Sequence, residues 1–152
     1  MVWGCMTSQD TGYACWVQGW MNADTYVSIL DDELLNTIEY YKLKWKKLIF
    51  QHDLSSVHDS KKVRDWFKEH KIKVLDWPSQ SPDVNLIKHL WDHLKRKLAR
   101  YGKEPKGVHE IWKHVEKEWN EIPVDVCSTL IGSMQKHVKA MKRAKGGYTY
   151  YQ

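Results

Sequence analysis

The stretch LIFQHDLSSVHDSKKVRDWFKEHKIKVLDW, residues 48–77, decides the fold. A short apolar run at 48–50 is typical of a buried strand, and a second such run follows at 72–77. The pattern between them, at 60–70, predicts a helix with Val63, Trp66 and Phe67 on one face. A strand, a helix and a strand within about thirty residues predict a βαβ unit with a parallel pair of strands.

The residues before this unit predict a hairpin and a helix. Two apolar runs, at 2–6 and 12–19, flank the polar turn TSQDTG and indicate two antiparallel strands. Asn22 is a suitable helix N-cap, and apolar residues then recur at helical spacing to about Tyr41.

The residues after the unit predict three helices. Their apolar stripes run from 87 to 98, from 108 to 119 and from 126 to 141, with Pro123 opening the last helix. We expect Gly146 and Gly147 to end it. The predicted order is β-β-α-β-α-β-α-α-α. It describes a single α/β domain, residues 1–152, with a mixed sheet in its first half and helices in its second.

Charge and composition restrict the class of protein. A net charge of +5 and a pI near 9.0 favour an acidic partner, nucleic acid above all. No apolar run approaches the roughly 20 residues of a membrane span, and the first ten residues lack the pattern of a signal peptide. We therefore expect a nuclear or cytoplasmic protein that is not secreted. Its three cysteines (Cys5, Cys15 and Cys127) are expected to be reduced, although Cys5 and Cys15 could face each other across the hairpin.

Asp53 is the first candidate functional residue. It follows the strand at 48–50, and functional side chains of open α/β sheets gather where strands end. The alternative is a loop aspartate that caps the next helix. Asp59 and Ser60 are better placed as that cap, which leaves Asp53 available for another role.

Three stretches resemble mariner-type (Tc/mariner superfamily) DDE transposases. IFQHDLSSVHDSKKVRDWF, residues 49–67, is similar to the second acidic motif of that family, in which Gln-Asp-Asn and a later His precede a helix. DWPSQSPDVNLIKHLWDHLK, residues 76–95, is similar to the third acidic motif, which contains Trp-Pro, Ser-Pro-Asp and Leu-Trp. Residues 2–30 resemble the hairpin and helix that lie between the first two acids. The likeness runs through nearly the whole chain.

The resemblance implies a ribonuclease H-like domain for cut-and-paste DNA transposition. In such a domain three carboxylates hold two magnesium ions, which neutralise the charge that develops on the attacking and leaving oxygens of a phosphodiester. Asp53 matches the second acid and is the expected metal ligand. The position of the third acid, after 34 intervening residues, is occupied by Lys88. By this alignment the sequence starts after the strand that carries the first acid, and after the DNA-recognition domains.

Loss of these acids predicts a copy that is catalytically inactive. A protonated lysine has three donors and no acceptor, so Lys88 repels a divalent ion. Asp92, one helical turn further on, is the nearby carboxylate that could partly replace the acid. Leu54 and Leu86 also stand where the family has a polar residue and a proline. Without its first strand, we expect the hairpin to expose an edge and the protein to be marginally stable or prone to aggregation.

DNA is the expected partner, bound through its backbone without sequence preference. The residues expected to contact it are His58, Lys61, Lys62, Lys95 and Arg96. Each cationic run could also be a solvated helix face, and His58 a plain loop histidine. His89 and His93 have the i, i+4 spacing of a metal pair, but no third ligand supports one and we expect both to be solvated. Neither a membrane nor a small-molecule substrate is expected.

Three hypotheses for function remain open at this point. The chain is an inert remnant of a catalytic domain, a DNA-binding or protein-interaction module derived from a transposase, or a nuclease whose missing ligands come from elsewhere, such as a second chain. The resemblance also leaves a homodimer open.

Overall fold

The computed structural model describes residues 1–76 and 85–143 of the chain. Internal packing groups these described residues into two compact units, residues 1–4 with 15–76 and residues 5–14 with 85–143. No helix among the described residues is long and apolar enough to cross a membrane.

The N-terminal hairpin has the predicted form. Strands β1 (Val2–Met6) and β2 (Thr11–Trp16) pair with each other in a two-stranded sheet. The turn is closed by Thr7, whose amide donates to the Asp10 carbonyl at 2.8 Å, while its hydroxyl accepts from the Asp10 amide at 3.1 Å. β2 ends before the predicted residue 19, where Gly19 takes a φ of +75°. All three cysteines are free thiols, as expected.

The first predicted helix is present but is not uniform. Asn22 caps it by accepting the Thr25 amide at 2.8 Å, as predicted. Helices α1 (Ala23–Ile29) and α2 (Leu35–Tyr40) are joined by a π-helical turn, Leu30–Leu34. Tyr26, Leu30 and Ile38 are almost fully buried along this stretch, which places one face of it in the core of the first unit.

The βαβ unit is confirmed, with shorter strands than predicted. β3 (Ile49–Phe50) pairs in parallel with β4 (Lys73–Val74), in the register Ile49 to Lys73 and Phe50 to Val74. Between them α3 (Lys61–Glu69) is capped by the Ser60 hydroxyl, and it buries the predicted Val63, Trp66 and Phe67. Among the described residues this pair is a separate sheet from the hairpin, whereas the sequence predicted one mixed sheet.

The three C-terminal helices are α4 (Ile87–Leu98), α5 (Val108–Asn120) and α6 (Val124–Arg143). Leu90 and Leu94 of α4 are buried, as is Trp119 of α5, whose indole donates to the Gly12 carbonyl at 2.8 Å. On α6, His137 is buried and Val138 is 38% exposed. The predicted stripe was therefore wrong at Val138, because its neighbour His137 occupies the inward position. Gly146 and Gly147 lie outside the described residues.

Candidate functional site

Asp53 lies in the segment between β3 and α3, within the first unit. Its carboxylate accepts the Ser55 amide at 3.2 Å, and its Oδ1 lies 2.6 Å from Nδ1 of His58. The alternative role, a cap on α3, is excluded because Ser60 performs it. Asp53 is thus bound to a histidine five residues further along the same loop.

A stack of aromatic rings supports this pair. The His58 ring lies over Tyr26, with their centroids 4.2 Å apart, and stacks on the His52 ring at 5.3 Å with only 9° between the ring planes. The Tyr26 hydroxyl and Nδ1 of His52 share a hydrogen bond of 3.0 Å. Tyr26 is 1% exposed, so the stack rests on a buried residue of α1. We call Tyr26, His52, Asp53 and His58 the Asp53 cluster.

The surroundings of the cluster shift two of its pKa values. Burial, together with the nearby His58, lowers the pKa of His52 to about 4, although Asp53 and Asp59 act in the opposite direction. His52 is therefore neutral near pH 7. Burial acts to raise the pKa of Asp53, but His58 and the hydrogen bonds from Ser55 outweigh it, and the pKa lies below its ordinary value. Asp53 is a carboxylate at neutral pH.

Position 88 belongs to the second unit, on the first turn of α4. The Lys88 amide donates to the Asn85 carbonyl at 3.1 Å, and the side chain is exposed. Leu90, two residues on, is fully buried, so the apolar face of α4 is intact while position 88 faces solvent. Asp92 is also exposed and forms an ion pair with Lys95 at 3.6 Å.

The ligands expected for divalent metal ions are not assembled in the described part of the chain. Over residues 1–76 and 85–143, no three His, Cys, Asp or Glu side chains are grouped so as to hold a metal ion. Asp53 contributes one carboxylate, which is already bonded to His58. A single carboxylate does not supply the ligands of a two-metal site.

The expected DNA-contacting residues differ in their surroundings. Lys61 and Arg96 are exposed. Lys62 forms an exposed ion pair with Asp24 at 2.5 Å, and Lys95 pairs with Asp92. Such exposed pairs contribute little free energy, so both lysines remain available to a phosphate. His58, by contrast, is only 18% exposed in its side chain and is engaged with Asp53.

The structure adds two residues that the sequence did not indicate as functional. Tyr26 was predicted only as part of an apolar stripe, and His52 was quoted only within the motif. The signal available for His52 was its place next to Asp53 and two residues beyond Phe50, because side chains two residues apart in an extended chain point to the same side. The Phe50 and His52 centroids do lie 5.4 Å apart.

The expectation that His89 and His93 are solvated was wrong. Both are partly buried, and Nε2 of His93 is buried with no hydrogen-bond partner in the described residues. The His89 ring lies 6.0 Å from that of the buried His137. The His89 ring of α4 and the His137 ring of α6 therefore approach each other within the second unit.

Comparisons with known proteins agree with the motifs. Residues 1–111 match the family described as DDE superfamily endonuclease. The Tc1 transposase of Caenorhabditis elegans is 36% identical over 153 aligned residues, which cover 99% of this chain and 54% of that protein. The chain therefore spans about half the length of this relative.

Solved structures show the same fold. The Mos1 transposase catalytic domain, determined with raltegravir and Mg, has a TM-score of 0.86 at 18% identity, covering 97% of this chain and 75% of that one. The Mos1 paired-end complex with the left transposon end gives 0.86 at 16% identity, covering 97% and 44%. The fold is that of a ribonuclease H-like catalytic domain. From the family match, the chain belongs to the DDE superfamily endonucleases, and it is similar to the catalytic domains of Tc/mariner-type transposases.

Proposed function

We propose that this chain is a transposase-derived domain that binds the DNA backbone without sequence preference and does not carry out the phosphodiester chemistry of its family. The observation that carries the proposal is Lys88, an exposed cation at the position where the resemblance expects the third acid. We assign magnesium to the chemistry of the family. The described residues of this chain do not supply a set of three or more ligands for it.

The electrostatics of the substitution support inactivity. Metal-dependent phosphoryl transfer needs hard oxygen ligands that neutralise charge on both the attacking and the leaving oxygen. An ammonium group supplies no lone pair and adds a positive charge that opposes a divalent ion. Asp53 remains ionised, but its Oδ1 is bonded to His58 at 2.6 Å.

The charge distribution supports DNA as the partner. The chain carries a net charge of +5, and exposed cations lie on both α3 and α4. Lysine and arginine bind phosphates through displacement of counterions, which requires no base contacts. The Mos1 likeness includes a paired-end complex with a transposon end, so assembly of two copies on DNA, in the nucleus, is part of the proposal.

A nicking assay tests the loss of chemistry. Supercoiled plasmid is incubated with the purified chain and Mg²⁺ or Mn²⁺, beside a known nicking enzyme as the positive control. We expect no conversion to open circles above the level of buffer alone. Nicking that requires the metal and disappears in Asp53→Ala would overturn the proposal, and would indicate that a second chain or another carboxylate completes the site.

A binding assay tests the DNA contacts separately. Affinity for a fluorescent 20-base-pair duplex is measured by anisotropy over a range of salt concentrations. The double variants Lys61→Gln/Lys62→Gln and Lys95→Gln/Arg96→Gln should each reduce the slope of log affinity against log salt by up to ~2. The control Lys103→Gln/Lys113→Gln removes two exposed lysines elsewhere and should change it less. No binding at low salt would leave only an inert remnant or a protein-interaction module.

A further inference from the structure

A second cationic surface, apart from the residues considered so far, follows α2. In the segment YYKLKWKK, residues 40–47, four lysines lie close to three aromatic side chains. Tyr40 is 66% exposed and Trp45 is 42% exposed, and the four lysines are exposed as well. We call this surface the 40–47 loop, and its exposed members are Tyr40, Lys42, Lys44, Trp45, Lys46 and Lys47.

The backbone of the 40–47 loop is held in one shape. Lys42 has a φ of +51°, in the left-handed region, and the next residue, Leu43, donates its amide to the Ile38 carbonyl at 2.9 Å. A 3-10 turn at Trp45–Lys47 follows, in which the Lys47 amide donates to the Lys44 carbonyl at 2.8 Å. The side chains are therefore presented from a locally hydrogen-bonded frame, which reduces the entropy lost when a ligand binds.

The charge of the loop is not compensated locally. The sequence from 40 to 52 contains four lysines and no aspartate or glutamate. Within the described residues none of these four lysines forms an ion pair, whereas Lys62, Arg64 and Lys95 each do. Four uncompensated cations over six residues attract a polyanion.

The interleaved aromatic rings indicate which polyanion fits. A basic groove for duplex backbone needs cations alone, because the bases of a duplex are stacked on one another. An exposed indole among lysines suits a strand whose bases are free to stack on it, while the lysines bind the phosphates on either side. Burial of the exposed Tyr40 and Trp45 rings against the bases would also favour binding.

We propose that the 40–47 loop binds single-stranded DNA, with Trp45 stacking on an unpaired base and Lys44, Lys46 and Lys47 contacting its phosphates. The inference rests on the proposed function in taking DNA as the partner. It uses none of the residues named there. It assigns to the 40–47 loop a different form of DNA, namely unpaired strands such as those exposed at a broken or frayed duplex end.

The test measures binding of the full chain to fluorescent dT20, to a 20-base-pair duplex and to rU20 by anisotropy. Trp45→Ala should weaken dT20 binding roughly tenfold with little change for the duplex. Trp20→Ala removes another exposed tryptophan, 91% accessible and outside the loop, and should leave dT20 binding unchanged. The triple variant Lys44→Gln/Lys46→Gln/Lys47→Gln should reduce the salt slope for dT20 by ~2.

The matched triple variant Lys103→Gln/Lys106→Gln/Lys113→Gln removes the same charge from exposed positions outside the loop and should alter the dT20 slope by less than half as much. Equal losses for the two triple variants, or no effect of Trp45→Ala, would overturn the inference. Binding of rU20 as tight as that of dT20 would overturn the assignment to DNA. Because the duplex measurements use the variants at 61–62 and 95–96, failure here is distinguishable from failure of the proposed function.

Discussion

The Asp53 cluster and helix α4 differ in what each has kept. In the cluster, hydrogen bonds join Asp53 to His58 at 2.6 Å and Tyr26 to His52 at 3.0 Å, and the two histidine rings stack on each other. Helix α4 has kept its buried leucines, yet it carries an exposed lysine at the position expected to be acidic. The Asp53 cluster retains polar side chains that bind one another, whereas α4 retains only its buried apolar side chains.

This difference shows that packing and chemistry are separable on one helix. A substitution at an exposed position changes stability little, so the residue type at position 88 can vary while the fold stays intact. A substitution at a buried apolar position leaves a cavity and is costly. An exposed lysine at position 88 is thus compatible with a TM-score of 0.86 to the Mos1 transposase catalytic domain.

The largest expected effect comes from a pair of substitutions on α4. Leu90→Ala removes a fully buried side chain and should lower the free energy of unfolding by roughly 2–5 kcal/mol. Lys88→Ala, two residues away, should change it by less than about 0.5 kcal/mol. Urea unfolding followed by circular dichroism measures both. A destabilisation by Lys88→Ala of similar size would mean that position 88 contributes to packing, and the comparison would fail.

A smaller effect is expected inside the Asp53 cluster. Tyr26→Phe removes the hydroxyl that bonds to His52 while keeping the buried ring. The lost hydrogen bond should cost roughly 1 kcal/mol in the same unfolding assay. Tyr40→Phe, at a 66% exposed position, is the matched control and should cost less than Tyr26→Phe, because water can replace the partners of an exposed hydroxyl. If the two substitutions cost the same, the Tyr26–His52 hydrogen bond does not hold the cluster together.

The pH dependence of stability should reveal His52. Its folded pKa, about 4, lies below the ordinary value of 6.5. Between these two values the unfolded chain binds a proton that the folded chain does not, so the free energy of unfolding falls as the pH is lowered through this window. His52→Gln should flatten that part of the profile of melting temperature against pH. A profile identical in shape to that of the unchanged protein would show that His52 is not the group responsible.

The smallest expected change concerns the ionisation of Asp53. Because His58 and the bonds from Ser55 hold its pKa below the ordinary value, His58→Gln should raise that pKa. Carboxyl carbon chemical shifts recorded against pH by NMR report it directly. An Asp53 titration unmoved by the substitution would remove His58 from the cluster.

The fold was largely predictable because periodicity and caps are local. The order of strands and helices, the Asn22 and Ser60 caps and the Val63, Trp66 and Phe67 face all follow from spacing along the chain. The predictions that failed concern features that depend on residues far apart in the sequence. The inward position of His137 depends on the neighbouring helices, and the separation into two strand pairs depends on hydrogen bonds between distant residues.

For the candidate site, the sequence by itself determined which residue types are present: an aspartate at 53, a lysine at 88 and the motifs that join the chain to its family. Only the tertiary structure decided what supports the Asp53–His58 pair, because the Tyr26 ring, 32 residues before His58 in the sequence, packs against the His58 ring. Charge and spacing are properties of the linear chain. Ring stacking, burial and the resulting pKa shifts arise only when folding brings distant side chains together and removes water from between them.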